Sequence, residues 1–557
     1  MKAKLAAKSL ASLTLAALTA CAGNGANPLP GNAPPPGPVS GGLLDRIVGV
    51  GDSLTAGYQA DGILGQTGFT DPLDPLTEVR PTQEAGFWAD LYEQASGLPI
   101  PTAIARMYDP SVSPLPLIAA PGLNNQIVPT LTAPIGFEKP GNACKDYNGF
   151  NAAGYTLRGN RRTRMNPAST VIRNVAVPGI TLHEANTLTQ PQSMTCEPLP
   201  GIQGLLAQVV DGESSTYWPV LGNWSFMGQR LTMVNAAAQL KPTLATVWLG
   251  ANDVLKYMGS GGLFHGGDTS AGQAAADVRQ AVGTLQQAGA RVVVANLPSI
   301  LQTPYFMRVT IPQKPAQACA IQTYAACVIG LFFGYGGYPA AVAITRQVAK
   351  RYHLATPAGC TPASTGNPCG YLTLQGTLAI LQYYQIYGKV PDLDNGHPGS
   401  GMGTYYITPA FAGKIQTLND ALNQGIASAA HAKHSPLVDV HAIFEGIASG
   451  NPANPYFRQA VSIGTNPSYP CCTLAYLAGL VSFDGLHPSN TGYALLAYYF
   501  IKAINGSFGQ HIPQIDIQAA YTGTRCSNPE QCYPDEYAPP YNQGGSLQPR
   551  GQYALQP

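Results

Sequence analysis

Four short apolar runs constrain this chain more than anything else in it. They cover residues 47–50, 244–249, 291–296 and 436–440, and each is rich in Val, Ile or Leu with no polar residue every second position. A strand with one wet face alternates apolar and polar side chains. An unbroken run instead reads as a strand covered on both faces, which is the usual state of a parallel sheet. Parallel neighbours need long crossovers between them. One crossover is legible: residues 270–288 space Ala, Val and Leu at helical intervals and stop at Gly289. Residues 493–504 read as a second helix, and 171–177 as a fifth strand. The expected architecture is therefore an α/β body with a parallel sheet between helical layers.

Composition narrows the function classes. Of 557 residues, 45% are hydrophobic, enough for a sizeable core, and only 11% are charged. Lys and Arg total 30 against 29 for Asp and Glu, a net charge of +1. A nucleic-acid surface needs a clustered basic excess to meet phosphates, so no nucleic-acid partner is expected. Gly 62 and Pro 49 predict many loops and turns.

The first 21 residues read as an export signal rather than fold. Lys2, Lys4 and Lys8 precede an apolar stretch over 10–20, which is too short to span a bilayer as a mature helix. Leu18-Thr19-Ala20-Cys21 resembles a bacterial lipoprotein lipobox, which implies acylation of Cys21 and attachment to the cell envelope. Ala22 after that cysteine favours the outer membrane by the same resemblance. A plain secretory signal with a chance cysteine is the other reading. Residues 22–42 read as a flexible Gly/Pro-rich tether and 521–557 as a Pro/Gly/Tyr-rich tail. Eleven cysteines minus Cys21 leave an even ten, consistent with disulfides in an oxidising compartment. Near neighbours such as Cys319/Cys327, Cys360/Cys369 and Cys526/Cys532 are plausible pairs, and the connectivity stays open. No Cys or His spacing suits a metal site.

Three strand ends and one late segment carry the chemistry-bearing residues. The first run ends in Gly51-Asp52-Ser53-Leu54. Ligands of doubly wound sheets lie at the C-terminal ends of strands, so a serine on that turn can present its hydroxyl to a cleft. It could equally be a turn serine capping a helix. A serine nucleophile needs a base, and the base needs an orienting group. Asp484-Gly485-Leu486-His487 offers both, with the carboxyl placed to hold the far ring nitrogen of the imidazole. His441 competes as base but has no acid at similar spacing. Acyl transfer also needs donors for the developing oxyanion. Asn252 follows the second run, and Gly179, after the 171–177 segment, can bring a bare backbone N–H close to a ligand. Gly179 could also be an ordinary turn glycine.

Taken in order, these blocks resemble the SGNH hydrolases, also called GDSL esterases and lipases. Residues 51–54, 174–181, 250–253 and 484–487 look like that family's four blocks. The resemblance implies a flavodoxin-like three-layer α/β/α sandwich with a five-stranded parallel sheet and no cofactor. It implies Ser53, His487 and Asp484 as a catalytic triad, with Ser53, Gly179 and Asn252 as oxyanion donors. The hydrolase body is expected over 43–520, interrupted by insertions at about 61–165, 301–430 and 446–480 that wall or lid the cleft. An α/β-hydrolase elbow is disfavoured, because Thr55 stands where its last glycine belongs. The expected substrate is an ester: an acyl chain for a carboxylesterase or lipase, or an acetylated carbohydrate. A non-catalytic envelope lipoprotein that binds acylated glycans or lipid is the rival of another class.

Overall fold

A computed structural model of the chain describes residues 42–59, 83–97, 172–189, 229–259, 270–303, 406–448 and 486–522, with shorter pieces between them such as 369–373 and 480–482. The centre is a parallel sheet of four strands: β1 (Ile47–Gly51), β2 (Leu244–Trp248), β3 (Arg291–Ala295) and β4 (Leu437–Val438). Their spatial order is β1-β2-β3-β4, and every pairing is parallel. β1 and β2 are buried along their whole length, which is why neither shows an alternating pattern.

The segment expected as a fifth strand joins the free side of β1. Gly49 and Asn174 form a parallel bridge, and ladder bonds run from Gly49 N to Arg173 O (2.9 Å), Val175 N to Gly49 O (2.9 Å) and Val177 N to Gly51 O (3.0 Å). It does not extend into a regular strand. The Asn174 side chain accepts from the backbone of Ala176 at 3.2 Å and so takes a local partner in place of an extended ladder. Counting this edge, the first four connections place segments in the order 2-1-3-4-5, the flavodoxin-like winding. β4 is shorter than the run 436–440 suggested. Asp439 stops it: its carboxyl accepts from Ala442 N at 3.0 Å and caps the next helix.

The α-helices among the described residues are α1 (Ser53–Ala56), α2 (Phe87–Ser96), α3 (Leu182–Thr187), α4 (Met233–Gln239), α5 (Ala251–Gly259), α6 (Ala271–Gln287), α7 (Pro409–Ala432), α8 (Val440–Ala448), α9 (Asn490–Phe508) and α10 (Ile517–Thr522). On one face of the sheet α2 packs with α9. Phe87 stacks on Phe500 at 4.6 Å and meets Trp248 edge-on at 5.3 Å, while Trp88 occupies the space beside Gly49 that a Cβ would need. On the other face α6 packs along α7 and contacts α3 and α4. Gly425 lets α7 approach α6 so closely that a Cβ there would run into the Ala271 carbonyl. Ser270 caps α6 through Gln273 N at 3.1 Å, and Gly289 leaves it at φ +106°. Parts of two stretches read as insertions are therefore core. α2 lies within 61–165 and most of α7 within 301–430, and both pack into the layers. Among the described residues no helix is long and apolar enough to cross a membrane.

Candidate active site

Backbone bonding at the C-terminal ends of β1 and β2 gathers the chemistry-bearing blocks. Ser53 is the first residue of α1, directly after β1. Gly51 makes the turn feasible: a Cβ there would collide with the Thr55 side chain and lie 2.8 Å from the Trp248 carbonyl. Asp52 caps α1, its carboxyl accepting from Leu54 N at 3.0 Å. Ser53 thus stands in a first helical turn, where backbone N–H groups lack intrahelical partners.

His487 approaches from 434 residues away and places Nε2 2.9 Å from Ser53 Oγ. Its loop is pinned by an antiparallel bridge. Ser482 N donates to His487 O at 2.7 Å, and Ser489 N donates to Leu480 O at 3.0 Å. Gly492 is needed here, because a Cβ would strike that same Leu480 carbonyl. Ser489 then caps α9 through Gly492 N at 3.2 Å. Asp484, expected to orient the imidazole, lies outside the described residues, as does Cys21. His441 is not at this site. It sits in α8, where its ring pairs with Glu445 one turn on at 3.4 Å, because the strand ended sooner than the sequence suggested.

The 174–181 block is tied to the nucleophile turn by Asn174, whose amide donates to the Thr55 carbonyl at 2.8 Å. At its end Gly179 adopts φ +87°, a left-handed conformation that favours glycine, and nothing lies within 4 Å of where a Cβ would project. Among the described residues its N–H has no hydrogen-bond acceptor. Thr181 and Glu184 then form a capping box that starts α3. Asn252, buried in the first turn of α5, donates to the Ile180 carbonyl at 3.0 Å. Next to it, Asp253 accepts from Leu182 N at 2.9 Å. These two bonds fasten the Asn252 turn to the Gly179 turn, so three of the four blocks are joined by hydrogen bonds and the fourth arrives through His487.

Two buried carboxyls set the electrostatics. Burial pushes Asp52 from its ordinary value of 3.8 up to about 7, against the pull of the Leu54 N–H and of nearby His487. One of its oxygens has no partner among the described residues. Burial likewise pushes Asp253 up to about 7, offset in part by the Leu182 N–H; Glu184 adds to the rise and Lys256 opposes it. Lys256 and Glu184 are themselves paired at 3.0 Å.

Sequence reasoning passed over three residues of this neighbourhood. Asp52 carries a visible signal, an N-cap residue type just before the nucleophile. Asp253 and Tyr58 carry none, since their roles rest on contacts to remote segments. The Tyr58 ring lies against the His487 imidazole, with centroids 4.6 Å apart and planes at 44°.

The arrangement is a serine hydroxyl hydrogen-bonded to an imidazole at a strand end, on a turn tied by hydrogen bonds to a segment that carries a glycine N–H with no acceptor among the described residues and, through it, to a side-chain amide. Searches of the curated proteins and of the solved structures found no match. A family model described as GDSL-like Lipase/Acylhydrolase matches residues 47–500, which takes in all the blocks above. The chain belongs to the GDSL-like lipase/acylhydrolase family, SGNH-type serine hydrolases that act on esters.

Proposed function

We propose that this enzyme cleaves carboxylic esters of acyl chains through a Ser53–His487–Asp484 triad and an acyl-enzyme. The observation that carries this reading is the 2.9 Å contact between His487 Nε2 and Ser53 Oγ across 434 residues of chain. Ser53 Oγ attacks the ester carbonyl while His487 takes its proton. His487 then gives that proton to the departing alcohol. Water, deprotonated by the same imidazole, cleaves the acyl-serine and releases the acid. Asp484 holds the imidazole tautomer. The N–H groups of Ser53 and Gly179 and the Asn252 amide receive the oxyanion. The Gly179 N–H, without an acceptor among the described residues, and the Asn252–Ile180 bond support that assignment.

The test is a hydrolysis panel of p-nitrophenyl esters from acetyl to palmitoyl, with acetylated xylan, for the unaltered enzyme and Ser53→Ala. Acyl-ester hydrolysis lost in the variant is expected. Full activity of Ser53→Ala would refute the nucleophile. Activity confined to acetylated xylan would make the enzyme a carbohydrate O-acetylesterase instead. Absence of hydrolysis on every substrate, with no fluorophosphonate labelling of Ser53, would favour a binding lipoprotein.

We further propose that the enzyme is exported and lipid-anchored at Cys21 in the cell envelope, at the outer membrane. The lipobox supports this, as does Cys369, which is buried and disulfide-bonded. Labelled palmitate should enter the protein and be absent from Cys21→Ala. Equal labelling of both would reject the anchor.

A further inference from the structure

The geometry points to Tyr58 as the positioning residue of the catalytic imidazole, an inference that rests on the reading of His487 as base. Tyr58 is fixed at both ends of its backbone. Its N–H donates to the carbonyl of Ser53 itself at 3.0 Å. Its own carbonyl accepts from the Tyr493 hydroxyl at 2.7 Å, and Tyr493 is fully buried in α9. Between them Gly57 turns the chain at φ +82°, a left-handed cap that closes α1 and brings Tyr58 back beside Ser53. The residue that results is 8% exposed, and its ring lies against His487.

Tyr58 is therefore a spacer between nucleophile and base. One end is bonded to the serine residue, and the other to the helix that follows the histidine loop. Its ring packs against the imidazole at a 44° tilt and so restricts its motion on that side. A second effect follows from the same contact. At 4.6 Å the ring lies within the range at which an aromatic face attracts a cation, and His487 becomes positive only as Ser53 attacks. The ring then stabilises the charged transition state more than the neutral ground state, which raises turnover rather than substrate binding.

The experiment compares Tyr58→Leu and Tyr58→Phe in the full-length enzyme on p-nitrophenyl esters, with Ser53→Ala alongside. Tyr58→Leu should lower kcat about five- to thirtyfold with KM within about twofold, and slow fluorophosphonate labelling of Ser53 in parallel. Tyr58→Phe, which keeps the ring, should recover kcat to within about twofold. Should Tyr58→Leu not fold, Tyr58→Met, flexible enough to fill the gap, carries the same expectation. Unchanged kcat in the ringless variant, a change confined to KM, or a Tyr58→Phe as slow as Tyr58→Leu would each overturn the assignment. Activity surviving in Ser53→Ala would instead bring down the nucleophile reading, so the two failures are distinct.

Discussion

Replacing Asp253 by Asn should make the folded state lose less stability as pH rises. Asp253 is 1% exposed, and burial lifts its carboxyl from 3.8 to about 7. A group whose folded-state value is raised contributes stability that is full below its unfolded value and is lost as pH climbs through the folded one. For Asp253 that window runs from about pH 4 to about pH 7, where the folded protein still holds a proton that the unfolded chain has released. A shift of roughly three units corresponds to at most about 4 kcal/mol lost across the window. Asn cannot ionise, yet its carbonyl can still accept the Leu182 N–H. The assay is urea unfolding of both proteins at pH 4.5 and pH 8, converted with each protein's own slope. Groups common to both cancel in the comparison. Relative to the unaltered enzyme the variant should gain about 3 kcal/mol between pH 4.5 and pH 8, since roughly 1 kcal/mol of the total is already lost at pH 4.5. An equal difference at the two pH values, or a variant that is relatively weaker at pH 8, would refute the view that a buried ionised carboxyl strains this turn.

Two further outcomes follow from the site. Asn252→Ala should lower turnover on p-nitrophenyl acetate about a hundred- to thousandfold, since the proposed oxyanion donor is removed; unchanged turnover would reject that role for Asn252. Gly51→Ala should destabilise the enzyme by about 1–3 kcal/mol, because its Cβ must push apart the Thr55 side chain and the Trp248 carbonyl. Urea unfolding at the unaltered midpoint, with undiminished labelling of Ser53, would show that the turn tolerates a side chain.

The sequence by itself determined the parallel sheet and its helical cover, because burial on both faces leaves no room for polar alternation in residues 47–50 or 244–249. It also marked the turns that the site reading rests on, where Gly51 and Gly179 meet local demands for glycine within a few residues of a strand end. Only the tertiary structure decided what those turns meet. It drew α2 and α7 out of apparent insertions into the core. It alone set Tyr58 against His487 and buried Asp253 under Leu182 N–H. Those contacts join segments separated by 71 to more than 400 residues. The physical reason is one of range: caps, turns and strand periodicity act over a few residues, whereas the pairing of remote side chains is fixed only when the whole core closes.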